Sequence, residues 1–240
     1  MRINTTLVVN PKGGSGKTTI AANLASAFAT DGIPTTLMDY DPQGSSLNWL
    51  RSRSSQAPRI HGANGAPGRF GQLRSFDMYV PPETRQLVID APAGSSGVLL
   101  HEMIDRSHCV IVPVVPSVID IHATGNFIKD LLGTARIRGG EIRLAVVANK
   151  VRVTMPAYQP LLRFLESINV RLQARLLDSD VYLRAAEAGL SIFEYDPSHT
   201  VAERKQFTPL VEWVAAEHPL RGEITPPVYD IRQVRRVSFN

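Results

Sequence analysis

The sequence of 240 residues contains a single cysteine, Cys109, and this scarcity excludes two classes of protein. One thiol cannot form a disulfide within its own chain, which argues against a small disulfide-stabilised domain. One thiol also cannot build a cysteine-ligated metal cluster, which excludes the electron-transfer reductases that depend on clustered cysteines. Cys109 lies in an apolar run, and we expect it to be a small buried residue.

Long apolar runs are missing as well. No stretch approaches the roughly 18 consecutive apolar residues of a membrane-spanning helix. The N-terminus enters a strand-like run at residues 5–9 without the basic and then apolar layout of a signal peptide. Together with the single cysteine, these absences predict a cytoplasmic protein.

The excess of one charge sign is small, with a net charge of +4 and a sequence pI of about 9.4. Such a balance permits a surface that binds a polyanion but does not require one. The candidates for contacts with a phosphate backbone lie in the second half of the chain and are Arg152, Arg163, Arg175, Arg184, Arg204 and Lys205.

Apolar, β-branched segments alternate with helical segments, which is typical of a parallel sheet covered by helices. We predict strands at residues 5–10, 34–39, 86–90, 109–115, 142–149 and 170–176, and helices at residues 17–30, 45–53, 96–105, 118–135, 157–167, 181–188 and 201–216.

The predicted fold is a single doubly wound α/β domain over residues 1–217, with a mostly parallel sheet of about seven or eight strands flanked by helices. Residues 55–72 are rich in Gly, Pro, Ser and Arg, which predicts an irregular surface connection. Residues 218–240 carry several prolines and arginines, and we predict that they form a basic C-terminal extension outside this domain.

The strongest functional signal is the segment Asn-Pro-Lys-Gly-Gly-Ser-Gly-Lys-Thr-Thr at residues 10–19, between a predicted strand and a predicted helix. Its glycines let the backbone approach a phosphate closely, and the N–H groups at the start of the helix point at the anion. Lys17 can reach the β- and γ-phosphates, and the Thr18 hydroxyl can ligate Mg²⁺. This pattern predicts a P-loop that binds ATP through Gly13, Gly14, Ser15, Gly16, Lys17, Thr18 and Thr19.

Carboxylates follow two of the predicted strands. Asp39 and Asp41 come at the end of the second strand, and Asp90 ends the third. Because ligands bind at the carboxyl ends of the strands in an open parallel sheet, we expect these acids to face the P-loop. Asp90 is predicted to hold Mg²⁺ through a water, with Asp39 near the outer shell of the metal. Asp41 is placed to orient the water that attacks the γ-phosphate.

One position departs from the general P-loop pattern, because Pro11 replaces a glycine and Lys12 follows it. This segment resembles the deviant Walker A motif of the ParA/MinD superfamily. The resemblance implies that Lys12 crosses a dimer interface to the partner's nucleotide. A cation supplied there stabilises the charge that shifts on the phosphates during hydrolysis.

Other segments resemble the short plasmid-partition ATPases of the ParA branch. They are Asp-x-Asp-Pro-Gln at 39–43, Asn-Trp at 48–49, Val-Pro-Val-Val-Pro-Ser at 112–117, and residues 181–196. The resemblance also implies that Asn149 lies where relatives contact the adenine base, although Asn is equally a common turn residue.

Two departures limit what carries over from these relatives. Residues 91–93, Ala-Pro-Ala, lack the hydroxyl or thiol that usually follows the Walker B aspartate. Ser179 stands where many relatives carry an arginine, so the DNA-binding residues of the family do not transfer to this point.

The resemblance implies a weak Mg²⁺-dependent ATPase that converts ATP to ADP and phosphate and acts as a switch. An ATP-bound homodimer would bind DNA non-specifically through its phosphates, and a partner protein on the cargo would stimulate hydrolysis. We therefore expect a nucleoid-associated protein that segregates DNA or positions a large cargo. The sequence does not identify that cargo.

Two other functions stay open. A MinD-like membrane switch needs a C-terminal amphipathic helix. Residues 228–237 show a faint version of that pattern, with apolar residues at every third position beside three arginines, but prolines at 226 and 227 oppose it. A metabolic P-loop synthetase would carry the same loop and would be recognised by turnover of a small carboxylate or amine substrate.

Overall fold

The structure of the protein is a computed structural model that describes residues 3–67, 77–152 and 156–216. The strands in these residues are β1 (Asn4–Val8), β2 (Thr35–Asp39), β3 (Ile60–Asn64), β4 (Gln86–Asp90), β5 (Cys109–Val114), β6 (Arg143–Val151) and β7 (Leu172–Leu177). They form one sheet in the order β3-β2-β4-β1-β5-β6-β7, and every neighbouring pair is parallel.

Helices connect the strands and cover the sheet. They are α1 (Lys17–Thr30), α2 (Ser45–Ser52), α3 (Gly97–Asp105), α4 (Val118–Gly133), α5 (Ala135–Arg138), α6 (Tyr158–Ser167), α7 (Val181–Glu187) and α8 (Pro197–Ala215). Within the described residues, every helix is too short or too polar to span a lipid bilayer.

Both faces of the sheet are buried, because successive side chains of a strand point to opposite faces. In β1, Leu7 packs into the core beneath α3, α4 and α6, whereas Val8 packs into the core beneath α1, α7 and α8. This two-sided burial explains why strands such as β4, β5 and β6 contain continuous apolar runs. The predicted doubly wound α/β fold is confirmed.

The carboxyl ends of β1, β2 and β4 meet at one edge of the sheet. Asp90 lies beside Val8 on one side and beside Asp39 on the other in the register of the parallel pairs. The chain leaves β1 toward β2, while β5 lies on the opposite side of β1, and ligands bind at such a divergence. The loop at residues 9–16 lies there.

The prediction of an irregular connection at residues 55–72 is wrong in part, because β3 lies inside it. This edge strand is short and polar, with only Ala63 buried, so it lacks the apolar run that identifies the other strands. Packing against α2 explains the glycine at position 62, because a Cβ there would lie 3.0 Å from the side chains of Leu47 and Leu50.

Two helix boundaries also differ from the prediction. Helix α8 begins at Pro197, and the side chain of Asp196 caps it by accepting the N–H of Ser198, so the helix starts before residue 201. The predicted helix at 118–135 ends at Gly133, and Thr134 separates it from α5. The basic extension predicted at residues 218–240 lies outside the described residues.

Candidate nucleotide-binding site

The loop between β1 and α1 has the backbone conformation that its glycines predict. Gly14 and Gly16 have φ angles of 75° and 89°, in the left-handed region that glycine adopts without strain. Gly16 has a second constraint, because a Cβ at this position would lie 2.0 Å from Nδ2 of Asn149. The site therefore needs glycine at position 16 for its backbone and for its packing.

Two buried asparagines hold the loop from behind. Asn10 accepts the N–H of Lys12 at 2.9 Å and donates to the carbonyl of Pro113 at 2.6 Å and to the hydroxyl of Thr124 at 3.2 Å. Asn149 donates its amide to the carbonyl of Ser15 at 2.8 Å. These bonds attach the loop to the ends of β5 and β6 and to α4, and thereby fix its shape.

This arrangement adds a role for Asn149 to the predicted one. The amide nitrogen that pattern reasoning assigns to the adenine base is bonded to the P-loop, and the side chain is buried behind it. The adenine contact stays a prediction. The sequence did not predict the supporting role of Asn10. The only sequence signal for this role is that a polar residue immediately follows the first strand.

Lys17 begins α1 and is buried, with its ammonium group donating to the carbonyl of Lys12 at 3.0 Å. Burial lowers the pKa of this lysine, while the negative charges of Asp90 and Asp41 act in the opposite direction. A phosphate group placed in the loop would offer this partly desolvated cation an anionic partner. The geometry thus fits the predicted contact with the nucleotide.

Asp90 is buried at the end of β4, and neither of its carboxylate oxygens has a hydrogen-bond partner among the described residues. Burial raises the pKa of Asp90 to about 7, and the nearby Asp39 raises it further. The hydroxyls of Thr18 and Ser46, which lie close to the carboxylate without completing a hydrogen bond to it, and the charge of Lys17 lower this pKa. An orphaned carboxylate of this kind fits a hydrated magnesium ion, which would restore its missing partners.

Asp39 differs from Asp90, because backbone groups already surround its carboxylate. Its Oδ1 accepts the N–H of Asp41 at 2.9 Å, and its Oδ2 accepts those of Ser46 at 3.0 Å and Leu47 at 3.2 Å. These bonds attach the end of β2 to the first turn of α2. The predicted role of Asp39 near the metal stays a prediction, and the structure gives the residue a role in shaping the adjoining loop.

A cavity of about 300 Å³ brings most of the predicted site together. Its walls include the side chain of Asp41, which also accepts the N–H of Gln43 at 2.9 Å. The residues that line the cavity are Gly13, Gly14, Gly16, Lys17, Thr18, Thr19, Asp41, Ala93 and Lys150.

Lys150 was missed by pattern reasoning, which singled out only the preceding Asn149. Its side chain is exposed, and the residue lines both the cavity at the P-loop and a neighbouring cavity of about 210 Å³. Its φ of 52° places a non-glycine residue in the left-handed region, a strained conformation that often marks a functional position.

Lys12 contacts its own chain in this structure. Its ammonium group lies 3.4 Å from Oδ1 of Asp120, whose other oxygen accepts the hydroxyl of Ser117 at 2.7 Å. Asp120 lies in the first turn of α4, where Ser117 caps the helix. The pair is partly exposed, with 38% of the Lys12 side chain accessible to solvent, so the lysine can leave it.

A larger cavity of about 400 Å³ adjoins the cavity at the P-loop and shares Thr18 and Thr19 with it. It lies between α1, α2 and α7, and its lining includes Trp49 and Tyr182. The Tyr182 hydroxyl is buried and has no hydrogen-bond partner among the described residues. The two cavities together offer room for a nucleoside beside its phosphates.

Known proteins share this sequence pattern and fold. Residues 6–189 match the family described as the CobQ/CobB/MinD/ParA nucleotide binding domain. The chain is 25% identical over 195 residues to the maintenance of carboxysome distribution protein A of Halothiobacillus neapolitanus, which covers 79% of this chain and 87% of that relative.

Two solved structures have the same fold. One is an aspartate-to-alanine variant of McdA from Cyanothece in complex with ATP, with a TM-score of 0.63 and 13% identity, covering 92% of this chain and 99% of the other. The second is the septum site-determining protein MinD of Pyrococcus horikoshii with Mg-ADP, with a TM-score of 0.64 and 17% identity, covering 93% of this chain and all of the other.

The family match spans the P-loop, the carboxylates at the strand ends and Asn149, and the relative from Halothiobacillus aligns over most of both chains. The resemblance stated from the sequence is therefore confirmed. The chain belongs to the CobQ/CobB/MinD/ParA family of nucleotide-binding domains and is a P-loop ATPase domain of the ParA/MinD type.

Proposed function

We propose that the protein is a ParA-like ATPase whose ATP-bound dimer binds DNA and positions a cargo. The observation that carries this proposal is the cavity in which the P-loop backbone, Lys17, Thr18 and Asp41 meet. A phosphate-binding loop, a cation and a carboxylate at the end of the neighbouring strand are what hydrolysis of a phosphoanhydride requires.

In this proposal the loop N–H groups and Lys17 hold the β- and γ-phosphates. Thr18 would ligate Mg²⁺ directly and Asp90 would hold it through a water, with Asp39 close by, and the ion bound there would supply positive charge to the phosphates. Asp41 orients the attacking water, because it faces the same cavity from the loop that follows β2. The larger cavity beside Thr19 receives ribose and base.

Dimerisation would place Lys12 on the partner's nucleotide. The lysine is partly exposed, and its bond to Asp120 is a solvent-accessible ion pair that costs little to exchange for a phosphate contact. A charge supplied in trans makes hydrolysis depend on the dimer and makes the dimer depend on the nucleotide.

DNA binding would use basic side chains that the fold leaves exposed. Arg204 does not qualify, because it donates to the carbonyls of Ile192 at 2.8 Å and Tyr195 at 3.0 Å. Arg175 and Lys205 are exposed and line a groove of about 510 Å³ between β7 and α8. Two copies of such a surface in one dimer would bind phosphates far more tightly than one copy.

The cargo and its adaptor are suggested by the relatives. The aligned protein of Halothiobacillus neapolitanus maintains carboxysome distribution. We propose that this chain positions a large cargo in the same manner, with an adaptor protein on the cargo stimulating hydrolysis. Plasmids, chromosomal origins and protein compartments are the candidate cargoes.

The test separates nucleotide binding from hydrolysis with the variant Asp41→Ala. Because this change removes the water-orienting group and no phosphate contact, the variant should bind ATP and remain a dimer by size-exclusion chromatography with light scattering. The matched control is Asp130→Ala, an exposed carboxylate on α4, which should behave like wild type. An Asp41→Ala variant that stays monomeric with ATP while wild type dimerises would refute the assigned role.

A further inference from the structure

Helix α2 directly follows the loop that carries Asp41, so its placement sets the position of this carboxylate. The first turn of α2 is fixed by Asp39, which accepts the N–H groups of Ser46 and Leu47. The same carboxylate accepts the N–H of Asp41. One buried side chain therefore connects the strand end, the hydrolytic loop and the start of the helix.

Apolar contacts anchor the rest of α2 only in part, through Trp49 and Leu50, which are partly buried against the core beneath α1. It is eight residues long, and only Ser46 among them is buried. Leu47 and Leu50 pack beside Gly62 of the edge strand β3, which is itself mostly accessible to solvent. A short helix on a sheet edge needs additional contacts to hold one orientation.

Those contacts come from the end of α2 and are polar. Arg53 follows the helix and forms a bidentate ion pair with Glu194, in which Nη1 donates to Oε2 at 2.8 Å and Nη2 donates to Oε1. The two side chains are only 6% and 5% exposed. The guanidinium also donates to the carbonyl of Pro58 at 2.8 Å and lies 4.8 Å from the ring centre of Trp49.

The segment between α7 and α8, residues 188–196, is shaped to receive this end of α2. A Cβ on Gly189 would lie 2.3 Å from the carbonyl oxygen of Ser52, so the two backbones are in direct contact. The indole of Trp49 donates to the carbonyl of Leu190 at 3.4 Å. The segment is held in turn by α8, whose Arg204 binds two of its carbonyl groups.

We propose that Arg53 and Glu194 are positioning residues for ATP hydrolysis, which clamp α2 and thereby hold Asp41 at the distance from the phosphates that catalysis requires. The inference rests on the proposed ATPase function and assigns regulation of that site to the segment between α7 and α8. A contact that moves this segment changes the placement of Asp41 through α2. The segment also bonds the middle of α1, where Asn23 accepts the N–H of Ile192 and Ser26 donates to Glu194.

The clamp and the P-loop make separable contributions to the reaction. The phosphates are held by the loop N–H groups and Lys17, whereas α2 contributes Ser45, Asn48, Trp49 and Ser52 to the cavity proposed for the nucleoside. Hydrolysis depends on Asp41, and a displacement of about 1 Å costs roughly a hundredfold in rate. Loss of the clamp should therefore lower kcat by a larger factor than it raises KM for ATP, because the phosphate contacts remain.

The experiment uses Arg53→Lys and Glu194→Gln in a Trp213→Phe background, where Trp49 is the only tryptophan of the chain. Lysine at position 53 keeps the buried positive charge but cannot form a bidentate ion pair with the carboxylate. Glutamine at position 194 keeps a hydrogen-bond acceptor without the negative charge. We expect kcat to fall about tenfold or more, KM to change less than about threefold, and acrylamide to quench Trp49 more strongly. The control is Arg51→Lys, an exposed arginine on the same helix, which should change none of these values.

Several results would overturn the clamp. Folded variants with wild-type kcat would do so, as would a raised KM with unchanged kcat or a lowered kcat with unchanged quenching. Melting curves ensure that both variants are compared in the folded state. If wild type hydrolyses no ATP, the proposed function fails, and the quenching of Trp49 alone then decides whether the pair holds α2.

Discussion

Alanine at Gly16 should damage the P-loop more than alanine at Gly14, although both glycines have positive φ. Gly14 has a φ of 75°, and a Cβ added there would have no other atom within 4 Å, so the change costs only the left-handed backbone strain. That strain is about 1–2 kcal/mol. Gly14→Ala is therefore the matched control for backbone strain without a steric clash.

At Gly16 the new methyl group also meets Nδ2 of Asn149 at 2.0 Å. Asn149 must then move and give up its bond to the carbonyl of Ser15, which leaves buried polar groups without partners. Loss of such a bond costs about 1–3 kcal/mol. Gly16→Ala should therefore lower the free energy of unfolding by this amount beyond Gly14→Ala.

Chemical denaturation of the two variants measures this difference, and calorimetry should show weaker ATP binding by Gly16→Ala than by Gly14→Ala. In an Asn149→Ala background the clash disappears, so the two glycine changes should cost the same. Equal unfolding free energies in the wild-type background, within about 0.5 kcal/mol, would refute the role of Asn149 as the support of the loop.

Changes at Lys17, Asp120 and Glu194 test the P-loop, the ion pair of Lys12 and the contact that holds α2. Lys17→Met should abolish ATP binding in calorimetry, because the loop loses the buried cation that meets the phosphates, and wild-type affinity would rule out this site. Asp120→Asn should lower the protein concentration needed for the ATP-dependent dimer by up to about fivefold, since it frees Lys12 from a partly exposed pair. Sedimentation should show no such gain in a Lys12→Ala background. Burial favours a higher pKa for Glu194, but the hydrogen bonds and charge of Arg53 outweigh it and hold this pKa below its ordinary value of 4.5. The stability that the pair contributes is therefore complete above the ordinary pKa, and it is lost as the pH falls through the lower pKa of the folded state. Acid melting curves of wild type should converge on those of Glu194→Gln, and parallel curves would contradict the pair.

Sequence patterns predicted the elements whose physics is local. The two-sided burial of β4 and β5 favours apolar runs, and the loop before α1 requires glycine, lysine and threonine at fixed spacing. Strand β3 was not predicted, because it lies at the edge of the sheet and has no apolar run. It instead carries Gly62, where α2 packs too closely for a larger residue.

The supports of the site could not be predicted, because they join residues that are distant in sequence. Arg53 and Glu194 are 141 positions apart, and Asn149 and Ser15 are 134 apart. A single sequence shows two charged or polar residues and no sign of their pairing. Asp120 is a similar case, since its position predicts a helix start, whereas its contact with Lys12 depends on how α4 packs beside the P-loop.

The ATP-dependent DNA-binding switch is tested by retention of the protein on non-specific DNA, with ATP and with ADP at two salt concentrations. We predict strong retention with ATP at low salt, a steep loss at higher salt because the contacts are to phosphates, and little retention with ADP. Lys12→Ala should bind nucleotide yet lose the ATP-dependent retention, because its dimer does not form. Equal retention of wild type with ATP and ADP, or none with either, would contradict the DNA-binding switch and favour the membrane-associated alternative.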